Sequence, residues 1–211
     1  MSFTGFSAND FAVFHIDGLE ERMAAIQERI QPKFKALGEE LKPFLEEQTE
    51  QPIYIHIARH ARRTKNPPND TWMAFANNAR GYKKHPHFQI GLFDDHVFLW
   101  LAHIYEMPDK EKVADHFLEQ MTEIKRLPQD FMISQDHTKK EAASLHSLDH
   151  EGLEAVLERF KNVKRGEFLI GAHLSTDDPI LSDGNAFIEK AKDTFIKLAP
   201  FYNAALTSIE Q

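Results

Sequence analysis

Apolar residues recur at spacings of three and four through Leu19, Met23, Ile26, Ile30, Phe34, Leu37, Leu41 and Phe44, which draws one apolar face along a helix from Asp17 to Gln48. Pro32 and Pro43 fall inside this run. Each removes an N–H and disfavours the α region for its predecessor, so the pattern predicts a kinked helix, or two successive helices with the same face inward. Ahead of it, Ser7 and Asp10 have capping-box spacing, which predicts a short helical turn.

The period then changes to two. Ile53, Ile55 and Ile57 alternate with Tyr54, His56 and Ala58, the signature of a strand with one face in the core. Thr71 to Asn77 and His87 to Phe93 read as further strands, with Gly91 marking a bulge in the second. Asp94-Asp95 turns the chain into His96 to Tyr105, where Val97 to Leu101 is apolar on both faces and predicts a central strand. Val113, Phe117, Met121 and Ile124 define a helix from Asp109 to Arg126, followed by a weak strand at Phe131 to Ser134. The polar stretch from Gln135 reads as a solvated loop up to His150; a helix carrying Leu153, Val156, Leu157 and Phe160 follows. Glu167 to Leu174 is a strand, and Phe187, Ala191, Phe195 and Leu198 build the last helix. Consecutive strands with helices before and after them predict one α+β domain over residues 1–211, a mainly antiparallel sheet of about six strands flanked by helices.

Composition narrows the class. The chain is 42% apolar, enough for one core, and no Gly/Ser- or Pro-rich linker divides its 211 residues. It has no Cys, which removes disulfides, thiolate nucleophiles and Cys-rich zinc sites. The opening MSFTGFSAND lacks a secretory pattern and the strongest apolar run, Val97 to Ala102, is six residues, so no membrane association and a cytoplasmic location are expected.

Charge supplies the functional signal. The net charge is −8, yet Ile53 to His87 holds seven Lys/Arg (Arg59, Arg62, Arg63, Lys65, Arg80, Lys83, Lys84) against one acid, Asp70. An island of +6 therefore sits in a remainder of −14. The island also carries His56, His60, His85, His87, Trp72 and Tyr82, equipment for gripping something anionic and flat. Its first half, HARRTKNPPNDTW, is a hook stiffened by Pro67-Pro68; its second, RGYKKHPHF, leads from the second strand to the third. In a meander these connections fall at opposite ends of strands spanning roughly 20–23 Å. A common site requires Arg80 to Lys84 to fold back along the sheet.

On that condition Arg62, Arg63, Lys65, Arg80, Lys83 and Lys84 would bind phosphate oxygens, Trp72 or Tyr82 would stack on a ring, and His60 and His87 would complete the set. The expected partner is an anionic phosphorylated small molecule or nucleotide. The plain alternative is that these cations pair with the acids of Glu39 to Glu50. Overall acidity argues against a general nucleic-acid coat protein, and a local patch for single strands stays open. His56 and His60 on a strand lie roughly 13 Å apart and cannot share an ion, whereas His85 and His87, about 7 Å apart, would need Asp94, Asp95 or Asp70 beside them. Neither a metal nor a cofactor is assigned. An enzymatic alternative makes His60 or His87 the acid/base of a phosphate-ester hydrolase with Asp70 orienting it, but no Gly-rich phosphate loop or GxSxG accompanies it and catalytic residues remain unassigned. A third reading docks the island on an acidic partner.

The string HARRTKNPPNDTWMAFANNARGYKKHPHFQIGL, with the opening helix around IQPKFKALGEEL and the closing helix, resembles the YktB-like family of uncharacterised bacterial proteins over nearly the whole chain. The resemblance implies a compact α+β fold in a Bacillus-type Gram-positive cytoplasm. It implies no activity, and it offers no catalytic or ligand residues to carry over.

Overall fold

Ser7 and Asp10 open the chain as their spacing predicts: the Asp10 carboxylate accepts from Ser7 N (2.6 Å) and Oγ (3.0 Å) and starts α1 (Ala8–Phe11). Lys33 Nζ closes on the same carboxylate at 2.6 Å, which ties this turn to the long helix behind it. The computed structural model describes residues 2–210. The long helix is α2 (Leu19–Ala25), a π turn (Ile26–Ile30) and α3 (Gln31–Thr49) in unbroken succession. The wide turn sits immediately before Pro32, where an ordinary turn would set a carbonyl against the proline ring. The face stays continuous across it: Ile26, Ile30, Phe34, Leu37, Leu41 and Leu45 are all fully buried.

Seven strands form one antiparallel sheet in the order β1-β2-β3-β4-β7-β5-β6. They are β1 (Tyr54–Ile57), β2 (Thr71–Ala76), β3 (His87–Leu92), β4 (His96–His103), β5 (Phe131–Ser134), β6 (Ala143–Ser144) and β7 (Phe168–Ser175). As its two-sided apolar pattern requires, β4 is central and buried at all eight positions. The seventh strand, β6, is two residues taken from the stretch expected to be a solvated loop. Two residues are too few to carry a period.

Helices cover one face of the sheet. There Met73, Phe75, Phe88, Ile90, Leu99, Leu101, Phe168 and Ile170 meet α3, α4 (Lys110–Glu119), α5 (Met121–Ile124), α6 (His150–Asn162) and α7 (Gly184–Glu210). Each fully buried ring or branched chain adds roughly 1.5–3 kcal/mol by leaving water. The helix expected over Asp109 to Arg126 is divided at Gln120, whose N–H reaches the carbonyls of both His116 and Phe117. The change of direction lets Phe117, Met121 and Ile124 all face the core.

The second face is also apolar in its middle, with Phe98, Trp100, Ala102 and Leu169 buried beside Trp72 and Met132. Among the described residues no second helical layer reaches it. Connections cover it instead. Gly91 belongs to this face, and the expected bulge is absent: Trp72↔Gly91 and Gly91↔Phe98 pair in unbroken register. A Cβ at Gly91 would strike the Phe98 ring and approach Trp72 Cβ to 2.7 Å, so the position is glycine to admit two aromatic neighbours.

Gly171 shows the same constraint where β7 pairs with β4, opposite Trp100. An added Cβ would collide with the Leu99 carbonyl and come within 3.2 Å of Trp100 Cα, both backbone. Gly171→Ala is therefore expected to lower the urea unfolding free energy by about 1–3 kcal/mol or more, since backbone cannot rotate away. Unchanged stability would mean that β4 and β7 are not packed this closely.

Candidate functional site

The two basic connections leave the sheet at opposite ends, and the second folds back. Turn chemistry starts the reversal: Asn78 Oδ1 accepts from Arg80 N (2.8 Å), and His85 N donates to the Tyr82 carbonyl (2.9 Å). His56 Nε2 meets the Asn78 carbonyl at 2.9 Å, and the Asn78 amide meets His85 Nε2 at 3.1 Å. Tyr82 then lies over the second face of the sheet, its ring 5.5 Å from His56 and 4.8 Å from His87. Its hydroxyl accepts from Trp72 Nε1 at 2.9 Å, although Trp72 sits at the far end of β2 from this connection. One hydrogen bond therefore fastens residues 77–86 along the sheet.

Between this arch and β1 lies an open cleft of about 760 Å³. Of the residues singled out in the sequence, Arg80, Tyr82, Lys83 and Lys84 line it, and they are joined by His56, Arg59, His85 and Glu106. Among the described residues the only ion pair made by the seven cations of the island is Lys83 with Glu106, at 3.0 Å. Among the described residues, Arg59, Arg80 and Lys84 have no carboxylate oxygen within 4.0 Å, and the acids of α3 do not neutralise them.

Arg62, Arg63 and Lys65 do not line this cleft. They belong to the hook, where Arg63 Nη1 turns back to the carbonyls of Asn66 and Pro67, each at 3.4 Å. The hook is held from below by buried Arg22, which donates to the Pro68 carbonyl (2.8 Å) and to the Ile16 carbonyl (2.9 Å). His60 has a left-handed backbone (φ 49°); its Nε2 meets Thr71 Oγ1 at 3.2 Å, and its ring stands edge-on to Trp72. His87 is fully buried, with Nδ1 on the His85 carbonyl (2.7 Å) and Nε2 on the Gln89 amide (2.8 Å). Both of its nitrogens are thus engaged, and His85 and His87 do not converge on one point.

Of the residues the sequence reading passed over, Arg59, His56 and His85 carried a signal, since all belong to the basic island. Glu106 carried none. The described residues also gather one His/carboxylate group able to hold a metal ion, Asp136, His137 and Glu167, with one ligand atom from each within 4.8 Å of the others. Buried Glu167 is already satisfied there, accepting from His137 N (2.7 Å), His137 Nδ1 (2.9 Å) and Tyr105 N (3.3 Å), and Arg159 and Arg165 line the same hollow.

Burial decides the protonation of the groups around the hook and of the other buried histidines of the sheet. Asp70, at the end of the hook, is raised from 3.8 to about 6 by burial, against the opposing pull of Arg63 and His137. Burial lowers His60 from 6.5 to about 4, with Arg63 adding to the effect, and takes His87 to about 3, His103 to about 4 and His173 to about 3. Between pH 3.8 and 6 the folded protein holds a proton on Asp70 that the unfolded chain releases, so this group adds stability as pH falls. The histidines run the other way. Below 6.5 the unfolded chain takes up protons that the folded one refuses, and four groups outweigh one.

Stability is therefore expected to fall as pH drops from 6.5 towards 4. Asp70→Asn should be more stable than the parent at pH 7 by about 1–3 kcal/mol, should lose that advantage near pH 4, and should decline more steeply between. Urea unfolding across the pH range measures all three. A parallel offset at every pH would show that Asp70 is not protonated in the folded state.

The described residues contain no helix long and apolar enough to cross a membrane. A family model described as "Domain of unknown function (DUF1054)" matches residues 6–202. A UPF0637 protein of Oceanobacillus iheyensis is 53% identical over 207 residues, 98% of this chain and 99% of that protein. One from Shouchella clausii is 51% identical over 209 residues (99% and 98%), and one from Listeria welshimeri 50% over 206 (98% and 100%). None of these names states an activity. The YktB-like strings of the sequence and these full-length matches agree, and the chain belongs to the DUF1054 (UPF0637) family of uncharacterised bacterial proteins.

Proposed function

We propose that the protein binds a phosphorylated small molecule or nucleotide in the cleft between β1 and the folded-back connection 77–86. The observation that carries this reading is a set of cations without partners around a hollow: Arg59, Arg80 and Lys84 face it with no carboxylate within 4.0 Å among the described residues, in a chain of net charge −8. Unpaired like charges held together repel one another, and an arriving anion relieves that repulsion. The volume of about 760 Å³ suits a ligand of nucleotide size. Guanidinium groups on two different elements can take phosphate oxygens in pairs, and Lys84 adds a point charge.

The hydrolase alternative gains no support from the histidines. His87 has no free nitrogen, and His60 has Nε2 on Thr71 Oγ1 and a pKa lowered by burial to about 4, which makes it a weak base.

Thermal unfolding with inorganic phosphate, nucleoside mono-, di- and triphosphates and sugar phosphates tests the proposal. A ligand at one hundred times its dissociation constant should stabilise the protein by about 2.7 kcal/mol. The shift should be lost in Arg80→Ala/Lys84→Ala and retained in Arg62→Ala/Lys65→Ala, whose side chains stand outside the cleft. No shift with any phosphate compound, or a shift that survives the first double variant, would overturn the proposal.

A further inference from the structure

The cleft is walled on one side by β1, and β1 is a free edge of the sheet. Ala58 N–H donates to the Trp72 carbonyl at 2.9 Å. Because backbone direction alternates along an antiparallel pair, His56 and Tyr54 likewise turn their backbone groups towards β2, in register with Ala74 and Ala76. The N–H and C=O groups of Ile55 and Ile57 therefore point away from the sheet. The side chains of Ile55 and Ile57 pack on the helical core while that of His56 lies on the opposite face beside Tyr82, yet all three residues line the cleft. They do so together because the cleft runs along the outer edge of the strand. The first residue of β1 is Tyr54, 40% exposed and one of three large apolar side chains exposed among the described residues.

An unpaired edge, an exposed aromatic on it and cations without partners beside it describe a place for an added strand. We infer that β1 accepts an extended acidic segment of another protein, with Ile55 and Ile57 supplying the backbone hydrogen bonds and Arg59, Arg80 and Lys84 receiving its carboxylates. Charge selects this occupant. A second copy joined through β1 would bring two sets of unpartnered cations together, and the sheet's other edge, β6, has two residues and offers too short a ladder. The inference shares with the proposed function only the reading of the cleft as an anion site. It adds a requirement, backbone pairing, that no small phosphate compound meets.

The test is fluorescence anisotropy at low salt with a labelled eight-residue peptide of alternating Glu and Val. Two further peptides carry N-methyl groups on one or the other alternate set of amides, which removes pairing on one edge and leaves the charge intact. The parent peptide should bind. One of the two methylated peptides should bind at least tenfold more weakly and the other like the parent, since only one edge of the added strand meets β1. Ile57→Pro, which removes an outward N–H, should weaken the parent peptide; should that variant not fold, the methylated peptides decide alone. Equal binding by all three peptides, or no binding by the parent, would overturn the inference. A phosphate-induced thermal shift that persists in either case leaves the proposed function standing, whereas its absence together with tight peptide binding overturns the proposed function and supports the inference.

Discussion

A sheet whose central strand is apolar on both faces has to be shielded from water twice, and this chain has helices for one side. Leu99 and Leu101 of β4 go under α7 and its neighbours, while Phe98 and Trp100 on the same strand face the other way. The second shield is built from connections. Residues 77–86 lie back along the sheet with Tyr82 against His56 and His87, and the β5–β6 connection crosses to the β3–β4 turn, where Lys140 pairs with Asp94 and Asp95. Apolar burial on β4 thereby fixes where the charged loops lie.

Covering a sheet with polar connections brings titratable groups under cover. Each such group must find a partner or give up its charge, because desolvation of an ion costs more than an imperfect hydrogen bond returns. His87, under the folded-back connection, takes the neutral form with Nδ1 on the His85 carbonyl. His103 does the same on the Phe168 carbonyl, although it is buried on the helical face against Phe117 and Phe160. Asp70 is driven the same way, towards the uncharged form: it lies almost fully buried with its carboxyl lifted towards neutrality. A group kept at such a cost in stability marks the region around the hook and Tyr82 as one shaped by more than packing. Arg59, Arg80 and Lys84, by contrast, remain in the open cleft, where water and counterions carry their charge.

Much of the fold was legible in the residues. The helical face from Leu19 to Phe44, the alternation at Ile53 to Ile57 and the two-sided β4 all depend on periods that local sequence displays. The misses have local causes as well. Gly91 read as a bulge because a glycine in a strand signals either distortion or crowding, and only the Phe98 ring on the neighbouring strand tells which. The division at Gln120 and the two-residue β6 lie below the length at which a period can be recognised.

The site divides in the same way. Clustering of seven cations between Ile53 and His87 is a property of the sequence alone, and it marked the strand and arch that line the cleft together with the hook that does not. Which cations meet was decided in three dimensions. The Trp72–Tyr82 hydrogen bond lays the second connection beside β1 and so recruits Arg59, while Arg22 pins the hook at the Pro68 carbonyl and the carbonyls of Asn66 and Pro67 hold Arg63, and Arg62, Arg63 and Lys65 stay outside the cleft. Charge and hydrophobic period are carried by each residue and survive in one dimension. The meeting of two loops depends on contacts between residues distant along the chain, and these exist only after the sheet has formed beneath them.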